Sequence, residues 1–327
     1  MTNKILIVDA MNTFIRNYVT NPALDSSGEP IGGCWGFLRT LQKLVREIDP
    51  SKVFIVWDGD GGSAKRRSVT KQYKDGRKPL KLNRAYDNMS TLDETQNRYN
   101  QMMKTIDYLN EMPVVQLMAD GVEADDVIGF ICNMQEIKED IKIIVSMDKD
   151  FYQLCDDKTI VYSPVKNRFL TKKTILEDFG VHPNNFALAR AMDGDKSDNL
   201  DGVKGVGMKT IAKRLSFLSE EKSYTLDDLF NHCRTNNDGS KFYQNVLSEK
   251  KKVETNYKLM QLYVPMMSPK AADDVRSNIL NFEPTFNQTQ VTKMMIEDGI
   301  NQSSWESMFQ KFRMFVAKKK DYLHHPI

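Results

Sequence analysis

Three short apolar runs that each end on an aspartate constrain the fold of this chain more than any other feature. The runs are KILIVDA at 4–10, KVFIVWD at 52–58 and IKIIVSMD at 141–148. Between them, residues 34–48 and 123–138 space their apolar side chains as one face of a helix does. Strands that alternate with helices predict an α/β fold with a mostly parallel central sheet and flanking helices.

Two further apolar runs, at 113–117 and 159–163, extend the predicted sheet. In parallel sheets of this kind a ligand binds outside the carboxyl ends of the strands. We therefore expect the acidic residues at those ends to belong to a functional site. They are Asp9, Asp58, Asp148 and Asp150.

The composition argues against several other classes of protein. No run of 18 apolar residues is present, so we expect no membrane-spanning helix. The first residues, MTNKILIVDA, hold an aspartate within their apolar run and are typical of a first strand rather than of a signal peptide. The four cysteines lie far apart without a CxxC pair, which argues against a zinc site or a disulfide framework and predicts a cytoplasmic protein.

Two acidic motifs lie outside the predicted strands. In VEADDVIGFI at 122–131, Glu123 and Asp126 are three residues apart and share one face of a helix. In MDGDKSDNL at 192–200, Asp195 and Asp198 have the same spacing. Each motif on its own is explained equally well by the helix dipole or by a solvated turn with a helix cap.

Five acidic clusters at strand ends or helix starts together indicate a site for divalent cations. Carboxylates that converge without cations would raise each other's pKa. Oxygen ligands suit Mg²⁺ or Mn²⁺, and none of these motifs contains a histidine or cysteine that would favour zinc. Two such ions about 3.5–4 Å apart would activate a water and stabilise the leaving oxygen of a phosphodiester. The clusters are Asp9; Asp58; Glu123, Asp125 and Asp126; Asp148 and Asp150; and Asp195 and Asp198.

A glycine-rich turn leads into a basic helix in GVKGVGMKTIAKRL at 202–215. Backbone N–H groups at such a helix start, beside lysines, form a phosphate site, and the glycine spacing is typical of a helix–hairpin–helix element. A side chain at position 207 is expected to collide with the phosphate or with the paired helix. No strand directly precedes the glycines, which excludes a dinucleotide-binding loop, while an ordinary turn before a basic helix stays open. The predicted DNA contacts here are Lys204, Gly205, Gly207, Lys209 and Lys213.

Residues 65–81 carry eight basic residues and one acid, in a chain whose net charge is only +2. Arginines and lysines interleaved with Tyr73 suit a DNA backbone together with one stacked base. A charge run is more often a solvated face of a protein. This run, however, follows the strand of Asp58 at the edge of the predicted metal site, which favours a functional role.

These motifs, in their order along the chain, resemble the 5′-nuclease (flap endonuclease) superfamily, which includes phage 5′-exonucleases and the N-terminal nuclease domain of bacterial DNA polymerase I. The resemblance spans residues 4–215, and no polymerase sequence follows, as in stand-alone phage-type members. Asp201 departs from the family pattern, in which a proline is common at this place. The matching stretches are ILIVDAMNTFIR, VWDGD, RRSVTKQYKDGR, EADDVIG, SMDKDFYQL and GDKSDNLDGVKGVGMKT.

The resemblance implies a PIN-like α/β core, a helical arch over the active site and a helix–hairpin–helix element. We expect residues 1–180 to form the catalytic core, with the arch inserted at about 59–98. Residues 181–327 would hold the helix–hairpin–helix element, at about 195–218, and a mainly helical C-terminal part to which no motif assigns a role.

The resemblance also implies roles for individual residues. Lys74, Arg66, Asp148 and Asp9 would be catalytic, with Arg66 and Lys74 on the scissile phosphate. Asp195 and Asp198 would hold the second metal ion, and Tyr73 would stack on a base of the substrate. The first metal cluster would comprise Asp9, Asp58, Glu123, Asp125, Asp126, Asp148 and Asp150, and the DNA contacts of the basic segment would be Arg66, Arg67, Tyr73, Lys74 and Arg77.

The function implied is that of a divalent-metal-dependent 5′→3′ exonuclease and flap endonuclease of DNA replication or repair. Its substrates would be DNA 5′ ends, flaps or RNA primers, and its cofactors two Mg²⁺ or Mn²⁺ ions, with K⁺ at the helix–hairpin–helix element. A sliding clamp or a single-strand-binding protein would be partners of a monomer.

Three alternatives stay open at this point. A 3′→5′ exonuclease would need an early D-x-E, and here Asp9 is followed by AMN. A PIN-type ribonuclease shares the acidic core but has neither arch nor helix–hairpin–helix element. A non-catalytic DNA-structure-binding protein would be expected to lose some of the carboxylates.

Overall fold

The computed structural model describes residues 3–76, 81–83, 90–236, 239–301 and 304–324. Its strands are β1 (Lys4–Asp9), β2 (Lys52–Val56), β3 (Val115–Leu117), β4 (Ile141–Val145), β5 (Thr159–Ser163), β6 (Arg168–Leu170), β7 (Gly194–Asp195) and β8 (Leu200–Asp201). Its α-helices are α1 (Ala10–Thr20), α2 (Gly32–Ile48), α3 (Ala64–Val69), α4 (Thr91–Asn110), α5 (Ala124–Asn133), α6 (Lys172–Phe179), α7 (Phe186–Asp193), α8 (Met208–Arg214), α9 (Leu226–Thr235), α10 (Lys241–Ser248), α11 (Lys250–Met260), α12 (Pro269–Leu280), α13 (Gln288–Glu297) and α14 (Glu306–His324).

The chain forms two compact units whose segments alternate along the sequence. Unit 1 comprises Met1–Trp57, Pro79–Met118 and Asp273–Ile327, and unit 2 comprises Asp58–Lys78 and Ala119–Ala272. The division into domains 1–180 and 181–327, expected from the sequence, stays a prediction.

Unit 1 contains three parallel strands in the order β3-β2-β1. Every residue of β1 and β2 after the first lysine is buried. Continuous apolar sequence is typical of parallel strands, because helices cover both faces of such a sheet. Asp9 ends β1 and caps α1, since its carboxylate accepts a hydrogen bond from the Asn12 N–H at 3.2 Å.

Unit 2 contains the parallel pair β4 and β5, with β6 antiparallel to β5. In the same unit α7 is followed by the antiparallel hairpin of β7 and β8, and the chain then turns into α8. The helix–hairpin–helix element expected at about 195–218 stays a prediction. Gly194 begins the hairpin with a φ of +79°, and a Cβ there would lie 2.3 Å from the backbone nitrogen of Gly202. Only glycine fits this position, because it lacks the side chain that would clash.

The predicted mixed α/β fold with a mostly parallel sheet is confirmed. The five predicted strands occur as β1 to β5, and β6 is an addition that the sequence pattern did not indicate. The predicted arch insertion contains α3 and the start of α4, while residues 77–80 and 84–89 lie outside the described residues, so the arch stays a prediction. Among the helices described, none has the length and apolar character needed to cross a membrane.

Candidate active site

Arg66, on α3, is the centre of the first acidic group of unit 2. Its side chain is buried, with 1% of the residue exposed. Nη1 lies 2.8 Å from Glu123 Oε2 and 2.7 Å from Asp126 Oδ2, and Nη2 lies 3.1 Å from Asp125 Oδ2. Nε donates to the Leu259 carbonyl at 3.0 Å. One guanidinium thus faces three carboxylates, and these four residues are called the Arg66 cluster below.

The start of α5 brings the three carboxylates of this cluster together. Glu123 is the N-cap residue of the helix, and Asp125 and Asp126 lie in its first turn, where acidic side chains are stabilised by the helix dipole. Asp58, which is exposed, accepts a hydrogen bond from the Ala124 N–H at 2.8 Å and so contacts the same turn. The acids at this helix start therefore lie where the helix dipole stabilises negative charge, which was one of the explanations left open by the sequence. They also cluster around Arg66.

The segment that follows α3 adds two more donors to Glu123. The Tyr73 hydroxyl donates to Glu123 Oε2 at 2.9 Å, and Lys74 Nζ donates to Oε1 at 2.6 Å. Ser63, which precedes α3, donates to Oε1 at 2.6 Å as well. Burial alone would raise the pKa of Glu123, but Arg66 and Lys74 outweigh it, so the pKa lies below its ordinary value. Glu123 is therefore held as an anion by the basic segment itself.

Arg190, on α7, is the centre of a second acidic group. It is 5% exposed, and its Nε lies 2.9 Å from Asp150 Oδ1. Nη2 is ion-paired with Asp195, and Nη1 donates to the Gly194 carbonyl at 2.8 Å. Arg190, Asp150 and Asp195 are called the Arg190 cluster below. Burial raises the pKa of Asp150 against the opposing attraction of Arg190, so the charge of this carboxylate depends on a neighbouring cation.

Sequence reasoning missed Arg190, although one signal for it exists. The helix FALARAMD is buried at every position from Phe186 to Met192, and Arg190 is the one charged residue within that run. A charged residue inside an apolar, fully buried helix needs a partner of opposite sign, because an unpaired buried charge is strongly unfavourable. The arginine therefore pointed to buried carboxylates.

The two clusters are joined through the segment that carries Tyr73 and Lys74. The Lys74 N–H donates to the Asp198 carbonyl at 2.9 Å, and Asn199 Nδ2 donates to the Gln72 carbonyl at 2.9 Å. Lys74 and Asn199 both adopt left-handed backbone conformations, with φ of +54° and +57°. The loop before β8 thus holds the basic segment in place.

Asp148 caps the short turn that carries Asp150. Its carboxylate accepts a hydrogen bond from the Asp150 N–H at 2.8 Å, and its own N–H donates to Ser146 Oγ at 3.1 Å. The residue is half-buried. The opening of this turn after β4 therefore positions both aspartates of the motif SMDKDFYQL.

The donor set of these residues fits Mg²⁺ or Mn²⁺, because it consists of carboxylate oxygens. Within the described residues, however, no three or more His, Cys, Asp or Glu side chains are arranged to hold a metal ion. In unit 2, Arg66 and Arg190 each bind a group of the acids, and the expected convergence of all five clusters on metal ions stays a prediction. Pairing with arginine also reduces the repulsion among these carboxylates, an effect that was expected of metal ions alone. Asp9 belongs to unit 1, and its place beside these acids stays a prediction, as do all the metal-ligand roles.

The structure corrects two expectations for the basic residues, those for Arg66 and Tyr73. Arg66 is buried among carboxylates, so in this conformation it cannot contact a scissile phosphate. Tyr73 is 2% exposed and presents no free ring face for a base to stack on. Arg77 lies outside the described residues, while Arg67 is exposed and Lys74 is partly buried on Glu123.

The glycine turn before α8 agrees with its prediction only in part. Lys204, Lys209, Lys213 and Gly205 are exposed. Two of the backbone N–H groups expected to bind phosphate already have partners, because that of Val206 donates to the Val203 carbonyl and that of Met208 to Asp193 Oδ1. The duplex contact therefore stays a prediction that rests on the exposed lysines.

The expected collision of a side chain at position 207 with the paired helix is wrong. A Cβ on Gly207 would meet only Asp193 Oδ1, at the ordinary contact distance of 3.8 Å. A Cβ on Gly202 would instead lie 2.2 Å from the Asp193 carbonyl oxygen, which belongs to rigid backbone. The turn therefore needs glycine at 202 for lack of space, and at 205 for its φ of +74°.

Gly202→Ala is expected to lower the free energy of unfolding by about 1–3 kcal/mol, because the methyl group overpacks the turn against α7. Gly207→Ala serves as the matched control and should change it by less than about 0.5 kcal/mol. Urea unfolding followed by circular dichroism measures both. An equal loss of stability in the two variants would contradict this assignment of the tight position.

Acidic side chains suited to divalent cations, with a basic segment directly on them, bring together the two kinds of charge that hydrolysis of a polyanionic backbone requires. This combination, on a mostly parallel α/β fold, is typical of nucleases. A family model described as "5'-3' exonuclease, N-terminal resolvase-like domain" matches residues 4–180, more than half of the chain. The chain belongs to this 5′-3′ exonuclease family and is an enzyme, as predicted.

Two relatives agree with this membership, and one solved structure shares the fold. The 5′-3′ exonuclease of Buchnera aphidicola subsp. Schizaphis graminum is 33% identical over 223 residues, which are 67% of this chain and 72% of the relative. The 5′-3′ exonuclease of Aquifex aeolicus is 28% identical over 278 residues, 83% of this chain and 86% of the relative. The fold is similar to the bacteriophage T5 flap endonuclease, crystallised as a pseudo-enzyme-product complex with DNA and metal ions, with a TM-score of 0.64, 18% identity, and 90% and 97% of the two chains covered.

Proposed function

We propose that this enzyme is a divalent-metal-dependent 5′ nuclease that hydrolyses phosphodiester bonds at DNA 5′ ends and flaps, including RNA–DNA 5′ ends. The observation that carries the proposal is the direct contact of the basic segment with the acidic start of α5, through Arg66, Tyr73 and Lys74 on Glu123. A phosphate that approaches these carboxylates would meet a lysine at the same place.

Divalent cations, when bound, activate the attacking water and neutralise the charge of the phosphate. In the proposed site Asp58, Asp125, Asp148 and Asp198 would bind them together with Glu123, Asp126, Asp150 and Asp195, and Asp9 would join from unit 1. A two-ion arrangement with Mg²⁺ or Mn²⁺ is the form we propose. K⁺ would bind at the helix–hairpin–helix element.

The chain's own residues would perform the remaining tasks. Arg66 keeps the three carboxylates of its cluster at fixed positions, and Arg190 does the same for Asp150 and Asp195. Lys74, with 19% of its side chain exposed, is the cation of the segment that could pass from Glu123 to a phosphate oxygen. Such a lysine would stabilise negative charge that develops on the phosphate. Replication proteins, such as a clamp or a single-strand-binding protein, are the partners we propose for a monomeric enzyme in the cytoplasm.

Cleavage of four labelled substrates tests this function. The substrates are a 5′ flap, a 3′ flap, a blunt duplex and a single strand, each labelled at either end and incubated with Mg²⁺, with Mn²⁺ or with EDTA. We expect cleavage from 5′ ends and at the base of the 5′ flap, none at the 3′ flap and none in EDTA. An RNA–DNA hybrid with a 5′ RNA segment tests the primer activity.

Three other results would each contradict the proposal in a distinguishable way. Shortening from 3′ ends would favour a 3′→5′ exonuclease. Cleavage of RNA without cleavage of DNA would favour a PIN-type ribonuclease. Tight binding to flaps without turnover in any metal would favour a DNA-structure-binding protein.

A further inference from the structure

A second charged site lies in unit 1, in an open cleft of about 440 Å³ along α2. Arg39, Lys43 and Arg46 line it, at positions i, i+4 and i+7 of the helix. Residues with this spacing share one helix face, so the three cations form one row. The other described lining residues are neutral, and no acid lines the cleft, although the chain carries 44 acidic residues against 46 basic ones.

Two of the three cations of this row, Arg39 and Arg46, have no partner among the residues that the structure describes. Arg39 and Arg46 are exposed, and neither forms a hydrogen bond or an ion pair with the residues that the structure describes. Lys43 makes a contact of its own. Like charges three and four residues apart destabilise a helix slightly, so three cations on one face point to a function outside the folding of the helix.

The polar groups of the cleft add hydrogen-bonding capacity beside the cations. Asn21, Thr40 and Ser304 contribute amide and hydroxyl groups to the lining. The Gln42 amide is already bonded to the Ser304 carbonyl, which ties α2 to the segment before α14. The wall of the cleft is therefore held in place by this bond.

The spacing of the row suits a nucleic-acid backbone. Seven residues of α-helix separate Arg39 from Arg46 by about 10.5 Å along the axis. Successive phosphates of one DNA strand rise by about 3.4 Å along the duplex axis, so the two ends of the row can contact different phosphates of one strand. A single small anion would contact the cation at only one end of the row.

We infer that the cleft along α2 is a second DNA-backbone contact, separate from the acidic clusters, in which Arg39 and Arg46 each bind one phosphate of the substrate. The inference rests on the proposed function for the identity of the polyanion. The contact would bind duplex without reading its sequence, because phosphates carry no sequence information.

The salt dependence of duplex binding tests the inference. The variant Arg39→Gln/Arg46→Gln keeps side chains that favour helix and removes two charges. Its slope of log affinity against log salt should be smaller by about 2, because each lost phosphate contact removes about 0.9. Lys158→Gln/Lys293→Gln is the matched control, since it also removes two charges from exposed lysines, each of which is paired with a glutamate. Arg39→Lys/Arg46→Lys should restore most of the slope.

The outcomes separate this inference from the proposed function. Cleavage of the 5′ flap by the wild type, with a higher KM for the Gln variant and the smaller slope, supports the contact. An unchanged slope in a variant that unfolds in urea as the wild type does would overturn it, whatever the nuclease assay shows. Inorganic phosphate that stabilises the wild type but not the Gln variant in a thermal shift, with the slope unchanged, would assign the cleft to a small anion and would equally overturn it. Absence of cleavage by the wild type counts against the proposed function alone.

Discussion

Arg66→Ala is expected to lower the free energy of unfolding by about 3–5 kcal/mol, which is a large part of the stability of an ordinary domain. The guanidinium faces Glu123, Asp125 and Asp126 in a buried position. Its removal leaves three carboxylates near one another without their central cation, and the repulsion among them adds to the cost of their burial. Urea unfolding monitored by circular dichroism gives the free energy.

Arg67→Ala is the matched control for this change. Arg67 is the next residue of α3, carries the same charge and is exposed, so its loss should change stability by less than about 0.5 kcal/mol. An Arg66→Ala protein that is as stable as the wild type, yet slow in single-turnover cleavage, would contradict the structural role. It would restore the expectation from sequence that Arg66 contacts the scissile phosphate.

Asp148→Asn is expected to lower the single-turnover cleavage rate roughly 10³-fold. The carboxylate follows β4 and is proposed to bind a catalytic cation, whose contribution of several kcal/mol corresponds to about this factor. The amide oxygen of asparagine can still accept the hydrogen bond from the Asp150 N–H, so the turn that Asp148 caps should persist. Alanine would lose this cap as well and would confuse the two effects.

Two further measurements make the result specific to the charge of Asp148. Asp156→Asn is the control, because Asp156 also accepts backbone hydrogen bonds, at 2.8 Å from Lys158 and at 2.6 Å from Thr159, and it has no proposed role in cleavage. Mn²⁺ affinity, measured by calorimetry without DNA, should fall for Asp148→Asn and stay unchanged for Asp156→Asn. An Asp148→Asn enzyme with wild-type turnover would remove Asp148 from the proposed metal site.

The sequence predicted the elements of the fold well because their signals are local. Runs such as IKIIV and KVFIV are mostly apolar, as in strands that are covered on both faces, and both form parallel strands. The start of α5 was equally readable, since Glu123 and Asp126 are neighbours on one helix turn. The glycine turn at 202–207 was expected to lead into a helix, and α8 begins directly after it, with Gly207 as its N-cap residue.

The sequence was less informative about individual side chains of the site. It indicated Tyr73 and Arg66 as DNA contacts from their charge and aromatic character, and both are buried against Glu123. The burial of both side chains depends on how their segment packs over the start of α5. The spacing of residues along the sequence does not show this packing. The same holds for Gly207 and Gly202, because the crowded position is decided by the distance to the Asp193 carbonyl rather than by the spacing of glycines.

By itself, the sequence determined where carboxylates lie along the chain, at the ends of strands and the starts of helices, because each position follows from a few neighbouring residues. Only the tertiary structure decided which cation each carboxylate faces. Arg66 is 57 residues from Glu123, and Arg190 is 40 residues from Asp150. Such pairs form because packing brings buried charges of opposite sign within hydrogen-bonding distance, and a buried charge is stable only when it is paired. The physical reason for the difference is therefore range, since helix and strand signals act between adjacent residues whereas charge pairing acts between segments that meet only in the folded chain.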